Sequence, residues 1–403
     1  MLPFLQFIFA IAVIITAAKV GGYLSLKLGQ PAVTGEVLAG LLLGPSVLNF
    51  LGLPFFTDTH LRDSIVNLAE LGVLLLMFIA GLELHLDDLV KSGKIAVLAG
   101  LLGFVLTFGM GYILGTVFAY DVQQALFLGL MLAPTSIGIS AQTLMELKVL
   151  KTKVGITLLG AATIDDMLGV LGVSLFLAFF GGATASDYVS VLTLLLDMSI
   201  YLVIAFAVGI WLLPKLPSYV KKLPISQGLV ALAFIIMLFY AWSAEALGHM
   251  ATVIGAFLAG IFLARSPLKD EIKKGLFPIA YGIFVPIFFS NVGLSADLHQ
   301  ISIDGLILLA GMAIVVVASK LLGAGFGSRL GDMHPWESLQ LGFGMIPRGE
   351  VVLVFATVGI TEGIIGNEVF STTVMLVVLT TLATPPILRI LLAKTEPKLK
   401  SQN

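Results

Sequence analysis

The chain has 403 residues, 58% of them hydrophobic and only 11% charged, with a formal net charge of −2. Soluble domains carry charged residues at about 25%, so a mean hydropathy of +1.07 excludes a water-soluble fold and marks an integral membrane protein. The near-neutral charge offers no footprint for nucleic acid. With no cysteine there is no disulfide, thiol nucleophile or cysteine metal site.

In chain order, apolar runs of about 20 residues, broken at charges and turn residues, predict roughly thirteen membrane-spanning helices. Their limits are 4–27, 32–50, 64–82, 94–119, 123–146, 152–181, 189–213, 226–248, 250–265, 274–295, 303–329, 337–361 and 369–394. Alternation with period two is absent, which argues against a barrel. The first run has no basic leader and no small-residue cleavage site, so it reads as a retained helix rather than a signal peptide. With the N-terminus outside, eighteen of the 22 Lys and Arg, among them Lys27, Lys94, Lys148, Lys151, Lys273 and Lys398, fall at cytoplasmic ends and loops. Arg62 alone falls outside, while Lys19, Lys320 and Arg348 lie within spans. That bias predicts an odd number of spans and a cytoplasmic C-terminus.

The chain also repeats itself. Val33 to Gly40 in the second span reads like Val253 to Gly260 in the ninth, and Phe78 to Glu83 in the third reads like Phe289 to Ser295 in the tenth. Both matches lie seven helices apart, an odd offset that makes the matched helices run in opposite directions, as in inverted-repeat transporters. The same offset pairs spans five and twelve. Both are interrupted, by Ala133-Pro134-Thr135-Ser136-Ile137-Gly138 and by Gly344-Met345-Ile346-Pro347-Arg348-Gly349-Glu350. Proline removes a backbone donor and neighbouring glycine lets the chain unwind, so two broken helices crossing at mid-membrane are expected to expose carbonyls and helix ends as an ion site. Two ordinary proline kinks are the alternative.

Three of the charges inside spans stand deepest in long apolar runs: Asp165 and Asp166 between Val154 and Phe180, and Lys320 between Leu306 and Gly327. Each costs at least ~2.5–3.5 kcal/mol at mid-bilayer, and such residues usually face an interior path. A purely structural ion pair joining two helices is the competing reading. Adjacent residues on a helix point about 100° apart, so one aspartate can meet Lys320 while the other faces a cavity. Two acids this close in a low dielectric lose their protons in a coupled way, and a carboxylate that holds either a proton or a small cation is the chemical basis of antiport. Neither a Walker sequence nor a GxSxG elbow is present, and the five histidines show no metal spacing, so the chain reads as a transporter driven by ion gradients, neither an enzyme nor a cofactor protein.

Pro31 to Gly44, Thr135-Ser136-Ile137-Gly138, Ala162-Thr163-Ile164-Asp165-Asp166, Lys320-Leu321-Leu322-Gly323 and Pro347-Arg348-Gly349-Glu350 occur together in this order. Together they resemble the bacterial monovalent cation/proton antiporters. The likeness runs from about Ala18 to Glu396 and is nearest to the electrogenic two-aspartate sodium/proton exchangers of the cation/proton antiporter-2 group. It implies that Asp166 is the main cation and proton carboxylate, and that Asp165 pairs with Lys320 until sodium enters and the lysine releases a proton. It further implies that Thr135 and Ser136 lie beside the ion, and that Arg348 and Glu350 neutralise helix ends at the second break, for which a structural ion pair is the favoured reading.

The resemblance also implies a homodimer in the bacterial cell membrane whose core, residues 64–181 and 274–394, moves like an elevator against a dimerisation part, residues 1–63 and 189–265. The chain departs from the pattern at Pro134, where a small residue is expected, and at Ser290-Asn291, where apolar residues are usual. Either departure could alter selectivity, though Asn291 could instead bond a neighbouring helix. Glu36 is read as a helix contact or a funnel residue, and Glu83, Asp87 and Asp88 as a solvated face. Sodium/proton exchange is the expected function. Potassium/proton exchange on the same fold is the alternative, ahead of a sodium-coupled organic anion symporter and of a channel, whose relatives carry a cytosolic nucleotide-binding domain not expected here.

Overall fold

The computed structural model describes residues 2–84, 86–180, 186–297, 299 and 302–393. Every long element among them is a helix. In order they are α1 Pro3–Lys27, α2 Ala32–Leu43, α3 Leu61–Glu83, α4 Leu86–Val117, α5 Val122–Leu132, α6 Ile137–Glu146, α7 Lys153–Phe180, α8 Ser186–Trp211 and α9 Leu216–Val220. There follow α10 Gly228–Ala246, α11 Thr252–Leu263, α12 Lys269–Ile279, α13 Val285–Leu294, α14 Ile303–Ser319, α15 Gly325–Leu330, α16 Pro335–Gly344, α17 Glu350–Thr361 and α18 Asn367–Ala393. Among the described residues, nine segments are long and apolar enough to cross a membrane, and four shorter apolar helices accompany them.

The largest boundary differences from the sequence expectation are at the fourth span, expected from residue 94 where α4 begins at Leu86, and at the second. The second span was expected to reach residue 50, but α2 stops at Leu43, where Gly44 is extended (ψ 175°). The following Pro45 disfavours the helical region for its neighbour. The short α9 has no counterpart among the expected spans. Elsewhere irregular backbone is absorbed inside continuous helices: α12 runs through Pro278 into a π turn, Ala280–Phe284, before α13, and α14 enters a π turn, Lys320–Ala324, before α15. Pro278 cannot donate to the preceding turn, and a wider turn accommodates the defect. The second π turn begins at the buried lysine itself.

The two interrupted segments meet. Between α5 and α6 lie Ala133 to Ser136, and between α16 and α17 lie Met345 to Gly349. The Ser136 amide donates to the Pro347 carbonyl at 2.8 Å, and the Ser140 hydroxyl donates to the Gly344 carbonyl at 2.6 Å. A Cβ at Gly349 would collide with the Ser136 side chain, so glycine is what lets the two chains touch. Each break thus satisfies backbone groups of the other, the condition under which non-helical chain is tolerated at membrane depth.

Glycine contacts also lock the helices on either side of this crossing, and they do so reciprocally. On α2 and α13, a Cβ at Gly40 would strike the Ser290 backbone, and one at Gly293 would strike Val37. On α11 and α3, a Cβ at Gly260 would strike the Phe78 backbone, and one at Gly81 would strike Phe257. Accordingly α3 packs mainly on α11 and α13, α2 on α1 and α13, while α4 packs on α5, α7 and α15, and α14 on α4 and α18. Backbone-to-backbone approach of this kind is how helices associate when lipid removes the hydrophobic drive between them. Gly40→Ala is therefore expected to destabilise the protein by about 1–3 kcal/mol through overpacking, read as a lower thermal midpoint in detergent. Gly109→Ala, at a position with open space, is expected to leave the midpoint unchanged or raise it. Equal midpoints for the two variants would refute the close-packing account.

Candidate functional site

The unwound stretch after α5 presents Thr135 to the middle of α7, where the two aspartates stand. Asp165, Lys320 and Arg348 are 0% exposed, and Asp166 and Thr135 are 1% exposed. Lys320 donates to Asp165 Oδ2 at 2.7 Å, and Thr135 Oγ1 donates to the same oxygen at 2.7 Å. The pair therefore joins α7, the start of the π turn after α14, and the break after α5. Removing one partner from a buried pair leaves an uncompensated charge and costs ~3–5 kcal/mol.

The lysine reaches this place because α4 and the α14–α15 segment approach closely. Gly323 meets the Leu102 carbonyl, and a Cβ at Gly103 would lie 3.6 Å from Lys320 Nζ. Thr107 Oγ1 and Ser319 Oγ, 2.8 Å apart, bond the same two helices one residue from the lysine. On the far side, a Cβ at Gly169 would lie 2.8 Å from Cγ of Pro134, so the proline packs one turn beyond the aspartates.

Arg348 occupies the second break. Its Nη1 lies 3.0 Å from the carbonyls of both Met345 and Ile346, and its amide donates to Thr380 Oγ1 at 3.1 Å. A cation on the carbonyls that end α16 offsets the negative end of that helix. Thr135 Oγ1 also lies 3.1 Å from the Met345 carbonyl, so one hydroxyl links the Asp165–Lys320 pair to the carbonyls that Arg348 covers. Two aspartates, a lysine and an arginine thus form a buried cluster with formally balanced charge. The Glu350 side chain, and with it any pairing to Arg348, lies outside the described residues, as do the side chains of Asp87 and Asp88.

Of the residues expected at the site, the structure brings Asp165, Lys320, Thr135 and Arg348 into contact, adds Ser136 through its backbone, and sets Pro134 against α7. Asn291 stands elsewhere, on a cavity of about 270 Å³ with Asn49, Asp58 and Arg62. Glu83 is not on a solvated face. Its carboxylate is 15% exposed and bonds Lys151 at 2.6 Å and also Lys273, which lie on other segments and were invisible to a local reading. Sequence reasoning missed Ser140, Thr380 and the Thr107–Ser319 contact. The run of Thr380, Thr381 and Thr384 in an apolar span was a usable signal, since hydroxyls there seek helix partners.

At the lysine-rich end of the bundle opens a vestibule of about 760 Å³, lined among others by Lys19, Glu36, Gln142, Glu146 and Tyr281. α6 connects it to the crossing. Gln142 is six residues from Ser136, about 9 Å along a helix.

Comparison with known proteins bears on this constellation. Residues 11–394 match the family described as sodium/hydrogen exchanger, transmembrane. The Na+/H+-K+ antiporter GerN of Bacillus cereus is 36% identical over 384 residues, spanning 95% of this chain and 96% of its own. A Na+/H+ antiporter of Enterococcus hirae is 34% identical over 385 residues, spanning 96% and 98%. The solved structure of the sodium proton antiporter MjNhaP1 from Methanocaldococcus jannaschii superposes with a TM-score of 0.68 at 18% identity, covering 96% of each chain, so the fold is shared. By a family match over nearly its whole length, the chain belongs to the sodium/hydrogen exchanger family, and it is a multi-pass membrane transporter rather than an enzyme.

Proposed function

We propose that the chain is a secondary antiporter that moves sodium out of the cell in exchange for external protons, with Asp166 and Asp165 as the shared site. The observation that carries this reading is the buried Lys320–Asp165 pair, 2.7 Å long, held where two unwound helices cross. Such a pair has one cation already in place and can trade it for another. With Asp166 protonated and Asp165 paired to Lys320, the two aspartates and the lysine sum to zero charge. When sodium enters between the carboxylates, Asp166 gives up its proton and Lys320, losing its partner, gives up another. The loaded site then carries one negative charge more than the protonated one, so exchange of two protons for one sodium moves net charge. Membrane potential then contributes about 2.3 kcal/mol per 100 mV. No cofactor takes part.

The architecture supports alternating access. Gly40 on Ser290 and Gly260 on Phe78, like Gly293 on Val37 and Gly81 on Phe257, are the same contacts at sequence offsets of about 220 and 212. They support thirteen crossings built as an inverted repeat around the paired breaks. Packing supports two bodies. One holds α1–α3 and α10–α13, and the other holds α4–α7 and α14–α18, with α8 between them. This departs from the expected core of residues 64–181 and 274–394 by moving α3 and α12–α13 to the first body, because α3 packs on α11 and α13 on α2. Elevator-like movement of the second body, within a homodimer and with the N-terminus outside a bacterial membrane, completes the reading. Lysines 27, 148, 151 and 273 at the vestibule end support a cytoplasmic mouth. Potassium in place of sodium is the second reading, favoured by the potassium in the name of GerN.

Proteoliposomes given sodium, lithium or potassium separately are expected to move protons with sodium or lithium, and Asp166→Asn is expected to abolish the response while leaving the folded protein intact by size-exclusion profile. A response to potassium alone would select the second reading. Wild-type turnover in Asp166→Asn would refute the site. Lys320→Ala is expected to retain exchange that no longer responds to imposed voltage, and voltage-sensitive exchange in that variant would refute the lysine's role as a proton carrier.

A further inference from the structure

The vestibule is lined by Glu83 with its partners Lys151 and Lys273, by Lys148 and Arg389, and, apart from these, by a second group of two acids and a lysine. Glu36 on α2 is 6% exposed, and Lys19 on α1 approaches its Oε1 at 3.8 Å while the lysine side chain remains 46% exposed. Lys19 is already satisfied elsewhere, since its Nζ donates to the Tyr281 carbonyl at 2.6 Å. Glu146, at the end of α6, accepts the Ala32 amide on Oε2 at 2.7 Å and the Gln142 amide nitrogen on Oε1 at 2.7 Å. Ala32 and Glu36 are four residues apart on one helix face, so the two carboxylates flank the first turn of α2.

Two neutral oxygens stand with them. Gln142 is 4% exposed, and with its nitrogen committed to Glu146 its Oε1 is left without a hydrogen-bond partner; Gln30 Oε1 is likewise unpartnered. Both residues line the same vestibule as Glu36 and Glu146. A flip of the Gln142 amide does not resolve the orphan, because it would set two acceptors against each other. Buried acceptors without donors are expensive, and carboxylate and amide oxygens together are the ligand set of hard cations, which suit neither a thiophilic metal nor an anion. Helix-end charge on α2 is offset by Glu146, so it does not repel such a guest.

We infer that Glu36, Glu146 and Gln142 form an entry station for the transported monovalent cation in the vestibule, with the Lys19 ammonium as its displaceable occupant. The station rests on the exchange reading above and adds a binding step before the aspartates. It repeats the logic of Asp165 and Lys320 in a wetter setting: a tethered cation, anchored on the Tyr281 carbonyl, stands beside Glu36 until a free one arrives. The station therefore governs how readily cation is captured from the vestibule face and does not govern the exchange step itself.

The test is sodium-driven proton movement in everted and right-side-out membrane vesicles containing the full chain, with the apparent KM for sodium and the maximal rate measured at each face. Glu36→Gln is expected to raise KM at the vestibule face by ~2–5-fold, the range of a partly solvated charge contact, with the maximal rate and the opposite face unchanged. Lys19→Gln is expected to lower KM at that same face. The opposed signs guard against a folding defect, which would lower the maximal rate in both variants. An unchanged KM in Glu36→Gln, equal shifts at both faces, or shifts of the same sign in the two variants would overturn the station. Absence of cation-driven proton movement in the wild type at either face would refute the exchange reading itself, and the station with it.

Discussion

A lysine and an aspartate buried together in the middle of a membrane protein set the terms for everything around them. Neither charge can stay there alone, and each side chain must come from a different helix. Lys320 reaches Asp165 only because Gly103 and Gly323 let α4 and the α14–α15 segment approach. Asp165 is oriented by Thr135, which is free to reach it only because Pro134 and its neighbours have left the helix. The second break is needed in turn to give the first one a backbone partner, Pro347. Arg348 then covers the carbonyls that break exposes. The site is thus the set of partners that two costly charges demand, assembled from five helices.

The same economy explains why the helices beside the crossing are glycine-bearing. In lipid there is no hydrophobic gain in pressing one apolar helix on another, and close backbone approach supplies the packing that fixes geometry. The four contacts at Gly40, Gly81, Gly260 and Gly293 hold α2 on α13 and α11 on α3, away from the charges. The charged helices α4, α7 and α14 pack among themselves. The links between the two groups are mixed: the Glu146 carboxylate accepts the Ala32 amide and Glu83 bonds Lys151, while Gly138 on α6 lies close against Val73 and Phe288.

Much of this was legible in the sequence, for identifiable reasons. Asp165, Asp166 and Lys320 stand out because charge inside an apolar run is rare and costly. Pro134 and Pro347 were readable as breaks because proline lacks a donor, and their meeting followed from the shared offset of two repeats. What failed was whatever depended on distant partners. Glu83 looked solvated beside Asp87 and Asp88, yet its two lysines come from other segments. Asn291 was open between a selectivity role and a bond to a neighbouring helix, and only the packing of α13 shows that it lines a cavity with Asn49, Asp58 and Arg62. The second span looked longer because apolar residues continue past Gly44-Pro45, where backbone conformation and not hydropathy ends the helix. Gln142 and Glu146 carried no signal, since an amide and an acid at a helix end are ordinary until α2 is seen against them.

The central claim is that cation entry opens the Lys320–Asp165 pair and expels the lysine's proton along with that of Asp166. The most direct measurement is the number of protons released per sodium bound by the purified protein, taken from binding heats in buffers of different ionisation enthalpy. The account predicts about two for the wild type and about one for Lys320→Ala, because coupled carboxylates and their lysine partner titrate as a unit. One proton per sodium in both proteins would contradict it.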